Sequence, residues 1–320
     1  MSEQALFRNI LHRSFRLIIE RPSLWLLGLL ASGTAGMGVA EFVYSFVETV
    51  KSPEVQQSGV TFAGSTLGAL YAWLLPPYTN VYLPLMGILL LVISVVVFLM
   101  TVISFGALIR GSVEKKTQPL PLLWHHGTSH MLHLSGVVIV RHLAIALLLA
   151  GSVYTTQFIG KVGGLFTEAL QVLLWILSAV IVASISFLSI YAATSMSLEG
   201  FKIREAYQRA WHTFKRHMAV SIEMALALFL VEAATLILVA GVVVLLAVPV
   251  YFTWIVSLVA GTVGFFKYAL IVAIIILFIV GFFMAAWFTV FQVSAWSSLY
   301  LKTRESVVKS RLLTFFGIHK

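Results

Sequence analysis

Few side chains in this chain could do chemistry, and those with the strongest claim are polar groups inside long apolar runs. A charge in hydrocarbon is costly, so it is kept where it is paired, faces a polar cavity or acts on something. Glu232 sits near the middle of the run Ala219–Val250. It could carry a proton or line a cavity; the plainer reading is a tolerated neutral acid. Glu223 lies about four residues into the same run, and Arg141 about seven residues into Leu134–Phe158, both counted from the same side of the membrane. At 1.5 Å per residue Arg141 is ~10 Å deep. These depths match a structural ion pair, and a long arginine also snorkels toward the interface unaided. Together with Gln292, these residues are the candidate lining of an intramembrane polar site.

His125, His126, His130 and His133 form a second cluster. On one continuous helix His126, His130 and His133 would share a face. That spacing can hold a metal or titrate near neutral pH. The zinc-protease pattern needs a Glu between its two histidines, and Gly127-Thr128-Ser129 supplies none. Ser129 has no acid near it in sequence to complete a triad. The expectation is an interfacial helix touching lipid headgroups, with no catalytic residue, cofactor or metal assigned.

Composition excludes whole classes of chemistry. There is no cysteine, hence no disulfide, thiolate metal site or cysteine nucleophile. All twelve acidic residues are Glu, so chemistry that requires Asp is excluded too. Gly28-x4-Gly33 and Gly33-x2-Gly36-x-Gly38 lie inside an apolar run without a lysine to reach a phosphate. They read as close helix packing, not as a nucleotide loop.

The elements that must position these groups are legible in the hydropathy. The chain has 320 residues, 60% hydrophobic and 10% charged, against about 25% charged in a soluble domain. Its apolar runs are Leu24–Phe46, Tyr82–Ile109, Leu134–Phe158, Glu168–Met196, Ala219–Val250 and Tyr268–Tyr300. Each exceeds the roughly 20 residues that cross a ~30 Å hydrocarbon core. They are continuous rather than alternating, which argues for helices and against a barrel. The expected fold is all-α: one integral membrane domain, residues 1–320, with six spans paired in order into three hairpins. Over twenty residues with four arginines precede the first run, so it is expected to be a retained span and not a cleaved signal.

Lysine and arginine partition sharply. Eighteen lie toward one side, in the N-terminal segment, the second and fourth connections and the C-terminal tail, with Arg141 just inside the third run counted among them; Lys51, Lys161 and Lys267 alone lie toward the other. The positive-inside rule then places both termini in the cytoplasm of a cell or inner membrane. The net charge of +9 fits anionic lipid headgroups on that face, and a nucleic-acid partner is rejected.

An amphipathic segment precedes each expected hairpin. At 100° per residue, Leu6, Phe7, Ile10, Leu11, Leu17 and Ile18 fall on one face, opposite Arg8, Asn9, His12, Arg13 and Arg16. Ile203, Tyr207, Ala210, Trp211, Phe214 and Met218 repeat the pattern opposite Glu205, Arg209, His212 and Arg216. The expected bounds are about 5–20, 119–133 and 202–218, the middle copy being the weakest. Ile103-Ser104-Phe105 recurs as Ile185-Ser186-Phe187, and a degenerate threefold repeat competes with the plain likeness of any three hairpins. The long Val50–Val81 connection reads either as an ordinary loop or as a short interfacial helix.

The fourth run ends Ala193-Thr-Ser-Met-Ser-Leu-Glu199-Gly200, then Glu205-Ala206, Arg209-Ala210-Trp211 and Phe214-Lys215. With the Pro-Ser-Leu-Trp25 entry to the first run, this resembles the six-helix membrane domain fused to some glycerophosphodiester phosphodiesterases, and its stand-alone relatives. The resemblance implies a fold and a membrane location. It carries over no catalytic residue, because an acidic metal site cannot be built from a chain without Asp. The functional expectation is a non-enzymatic membrane protein: a scaffold, a lipid-organising protein or an accessory subunit with a protein partner. The alternatives are a transporter for a lipid-like or small apolar substrate and a membrane-embedded enzyme acting on headgroups.

Overall fold

The computed structural model describes residues 4–35, 82–114, 118–160, 164–260 and 264–305. Every regular element among them is a helix: α1 (Gln4–Glu20), α2 (Ser23–Ala35), α3 (Tyr82–Val113), α4 (Leu120–Ser129), α5 (Met131–Gly160), α6 (Leu165–Glu199), α7 (Ile203–Arg216), α8 (Met218–Ala260) and α9 (Gly264–Glu305). Among the described residues five helices are long and apolar enough to cross a membrane: α3, α5, α6, α8 and α9. The expected first span is described only through α2, whose shorter apolar stretch is Ser23–Ser32. Its continuation to Phe46, like Gly36, Gly38 and the Val50–Val81 connection, lies outside the described residues.

The exposed surface is that of a protein bathed in hydrocarbon. Leu89–Val97 of α3 and large side chains along α8 and α9, such as Phe229, Ile237, Leu245, Ile275 and Phe283, are exposed. In water such an apolar surface would aggregate. The opposite stretches of the even-numbered runs are the reverse. Thr101–Ile109, Tyr191–Ser197 and Val293–Tyr300 are buried on every face and rich in Ser, Thr, Gly and Ala. Small residues let helices approach where no hydrophobic force drives them together. Their hydroxyls often return to the helix itself, as Thr194 Oγ1 does to the Ile190 carbonyl at 2.7 Å. The recurring Ile-Ser-Phe triplet is out of register with this burial. Ile103–Phe105 is buried, whereas Ile185–Phe187 is half-buried and the buried stretch of α6 starts later.

α8 overruns its expected end at Val250, passing through Pro249 to Ala260. Proline costs a backbone hydrogen bond, but apolar helices tolerate it. At 1.5 Å per residue, the 43 residues of α8 extend roughly 65 Å.

The chain divides into two compact units. The first comprises Met1–Ala35, Ser104–Thr128 and His212–Lys320. In it α9 is the central element, with α2, α8 and α1 packed on it. Gly28 of α2 makes this packing close: a Cβ there would stand 2.6 Å from the Ala286 carbonyl oxygen. Trp25 of α2 and Trp287 of α9 add edge-to-face contacts to Phe283 and Phe15, with ring centroids 5.1 and 6.2 Å apart.

The second unit comprises Gly36–Ile103 and Ser129–Trp211. Its core is the α5–α6 pair, built around buried Ile145, Trp175 and Val182. Two polar links tie the pair: Ser152 Oγ to Ser178 Oγ at 2.8 Å, and Gln171 Nε2 donating to the Thr156 carbonyl at 3.2 Å. Glycine ends α6. Gly200 takes φ +73° and its N–H bonds the Met196 carbonyl at 3.0 Å, a left-handed cap that only glycine adopts without penalty. Just beyond, the Arg209 guanidinium stacks 3.9 Å over the Phe201 ring and lies 3.5 Å from the Glu199 carboxylate.

Candidate functional site

Three times among the described residues a short helix ends in a break of one or two residues and a long or apolar helix follows. The breaks are Arg21-Pro22, His130 and His217, after α1, α4 and α7. At His130 and His217 the histidine carbonyl accepts the first backbone bond of the next helix, from Leu134 and Ser221, each at 3.0 Å. At the first break Trp25 Nε1 donates to the Ile18 carbonyl at 2.9 Å, and Arg21 Nη1 donates to the Gly111 carbonyl at 3.0 Å. Of the three, α1 and α7 bury apolar residues and expose arginines; α4, expected to run to residue 133, stops at Ser129 and leaves Leu122 exposed.

Their buried faces follow from side-chain spacing. On α1, Phe7, Ile10, Ser14, Leu17 and Ile18 are buried, while Arg8, Arg13 and Arg16 are exposed. On α7 the buried positions are Ala206, Ala210 and Phe214, with Ile203 and Tyr207 half-buried. This face is rotated from the expected one, leaving Trp211 49% exposed. The reason lies in α5: a Cβ at Gly136 would stand 2.7 Å from Ile203 Cδ1. Ile203 fills that notch, which turns small Ala206 and Ala210 inward and Trp211 outward.

A groove runs between α1 and the start of α8, both in the first unit, with a volume of about 650 Å³. Phe7, Leu11, Leu226 and Ala227 form its apolar wall; Arg8, His12 and Glu223 are its polar groups. The volume falls in the ordinary range of small-molecule sites, ~300–1,000 Å³. Arg8 and His12 are one turn apart on α1, and Glu223 comes from the facing helix.

The structure therefore distributes the sequence candidates. Glu223 lines the groove. Glu232 is half-buried on the same helix, nine residues or about 14 Å further along its axis, and is not among the groove residues. Gln292 is half-buried on α9, its Oε1 enclosed and without a hydrogen-bond partner. Arg141 belongs to the second unit.

There Arg141 lies near Tyr207 of α7 and Ser189 of α6. Burial pushes the Tyr207 hydroxyl above its ordinary range, against the opposing influence of Ser189 and the Arg141 charge. Tyr207 and Ser189 are close enough to affect ionisation, yet neither hydroxyl closes a hydrogen bond of normal geometry.

The histidine face expected over 126–133 does not form on one helix. α4 stops at Ser129, His130 occupies the turn and His133 belongs to α5. Gly127, Thr128 and Ser129 are poor helix formers, and their side chains compete locally. Thr128 Oγ1 donates to the His125 carbonyl at 2.8 Å, and Ser129 Oγ pairs with His130 Nδ1 at 2.9 Å. Among the described residues no group of three or more His or Glu side chains could share a metal ion.

Sequence reasoning missed Phe7, Leu11, Arg8 and His12 as partners of Glu223. The wheel places the first two and the last two at the edges of α1's apolar and polar faces, but no spacing in sequence shows that α8 meets that edge. No family model, curated protein or solved structure matches the chain.

Proposed function

We propose that this chain is a six-span, non-enzymatic membrane protein that organises phospholipid headgroups on the cytoplasmic leaflet. In this reading α2 continues into a sixth span, the spans pair as three hairpins, and both termini are cytoplasmic. The carrying observation is the thrice-repeated junction: a short helix leading through a one- or two-residue break into an apolar one. On α1 and α7 that short helix buries its apolar face and exposes arginines. A helix of that kind lies in the headgroup layer with its cations toward anionic lipid. The eighteen-to-three partition of lysine and arginine supports the same side for all three.

Spin-labelled lipids test the reading on protein reconstituted in phosphatidylcholine bilayers. Phosphatidylglycerol should be immobilised in preference to phosphatidylcholine, with the preference fading as salt is raised. A basic residue near the surface contributes about 1 kcal/mol of attraction, roughly fivefold. Arg8→Gln/Arg13→Gln/Arg16→Gln and Arg209→Gln/Lys215→Gln/Arg216→Gln should each weaken the preference. Equal immobilisation of both lipids by the parent protein would sink the proposal.

A further inference from the structure

We propose that the α1–α8 groove binds a phospholipid whose headgroup carries a phosphate and a primary amine. The proposal deepens the reading above, since it rests on α1 lying in the headgroup layer. Most of the exposed charge on α1 and α7 is positive, which draws any anionic lipid without choosing among them. The groove differs because it sets a carboxylate, Glu223, opposite Arg8 and His12. Glu223 is five residues beyond the start of α8, about 8 Å along the axis. With the start of α8 at the headgroup layer, as the reading above has it, that distance puts Glu223 near the boundary of headgroups and acyl chains, where an interfacial helix lies.

The two signs of charge select the ligand. A phosphate suits the guanidinium of Arg8, whose planar donors match its oxygens, with His12 one turn away as a second donor. A primary ammonium donates to the Glu223 carboxylate. A quaternary ammonium has no N–H to donate and is held by cages of aromatic rings; among the described residues Phe7 is the one aromatic side chain that lines the groove. A glycerol headgroup would leave a net anionic lipid beside Glu223. The wall of Phe7, Leu11, Leu226 and Ala227 receives the upper part of an acyl chain, and Leu226 is 57% exposed, so the chain continues into the bilayer.

The test is native mass spectrometry of the full-length protein in detergent, titrated separately with phosphatidylethanolamine, phosphatidylcholine and phosphatidylglycerol of identical chains. The parent protein should retain phosphatidylethanolamine about tenfold better than phosphatidylcholine, the equivalent of one charge-assisted hydrogen bond. Glu223→Gln should abolish that preference and Glu223→Asp should keep most of it. Arg8→Gln should weaken both lipids together. Thermal unfolding of each variant checks that it remains folded, and the conservative Asp variant keeps the proposal testable if Gln does not fold. Equal retention of the amine and choline lipids by the parent protein overturns the groove assignment, as does a preference that survives Glu223→Gln. A preference for phosphatidylglycerol that Glu223→Gln leaves unchanged overturns the groove while sparing the headgroup-organising reading. Indifference to all three lipids overturns both.

Discussion

Gly28 of α2 faces Ala286 of α9 with no room for a side chain between them. A Cβ on Gly28 would come within 2.6 Å of the Ala286 carbonyl oxygen and 2.5 Å of Val290 Cγ2. The first of these is backbone and cannot turn aside. Gly28→Val should therefore push α2 off α9 and lower stability by about 1–3 kcal/mol, the usual cost of overpacking. Gly151 of α5 is the control, because a Cβ there meets nothing within 4 Å. Gly151→Ala should be neutral or stabilising by up to about 1 kcal/mol through helix propensity. Thermal unfolding of both variants in one detergent makes the comparison. Equal melting temperatures would show that α2 does not depend on this contact.

The α1–α2 elbow gives a second, milder test. Trp25 Nε1 bonds the Ile18 carbonyl at 2.9 Å across the Arg21-Pro22 break, and its ring meets Phe283 edge-on. Trp25→Phe keeps most of the ring and removes the donor, so the expected loss is about 1 kcal/mol. Trp25→Ala removes both and should cost about 3–5 kcal/mol. Comparable losses for Phe and Ala would mean the hydrogen bond, not the ring, holds the elbow.

How much of this was legible follows from which forces act along one helix and which act between helices. Hydropathy and amphipathicity are local, so α3, α5 and α6, and also α1 and α7, lie within a few residues of where the sequence placed them. The Gly28 contact was legible as a class, since a small residue in an apolar run invites close packing, but its partner α9 was not. α8 runs ten residues past the expected end of its apolar run at Val250, since Pro249 is tolerated inside an apolar helix. The histidine face failed on the local competition of Thr128 and Ser129 for backbone and ring partners. The groove was illegible because Arg8 and Glu223 are more than two hundred residues apart, and no pattern within either helix points at the other.

Tyr207 supplies a pH test. Its hydroxyl is enclosed without a hydrogen bond of normal geometry, and burial holds its ionisation above the ordinary value. The neutral form is the one the fold favours. Between the unfolded value of about 10 and the higher folded value, the unfolded chain has released the proton and the folded chain has not. The folded state then binds more protons, so stability falls as pH rises through that window. Tyr207→Phe should flatten this alkaline limb. At neutral pH it should be neutral or stabilising by up to about 1 kcal/mol, since it removes an unsatisfied buried group. Chemical denaturation at pH 7 and at about pH 10.5 reads both effects; an unchanged limb would place the alkaline sensitivity elsewhere.

Orientation is the prediction on which the functional proposal depends. The chain has no cysteine, so any cysteine introduced is a unique label site. Lys215→Cys lies on the exposed basic side of α7, beside Arg216, and Lys161→Cys lies between the third and fourth apolar runs. If the basic connections are cytoplasmic, an impermeant maleimide should label the 161 variant on intact cells and the 215 variant only after permeabilisation. The reverse pattern would put α1 and α7 on the opposite leaflet. Their arginines would then face a surface without the anionic potential of the cytoplasmic leaflet, and the energetic basis for organising its headgroups would disappear. Expected labelling leaves that basis in place and makes the lipid measurements on the α1–α8 groove the next discriminating step.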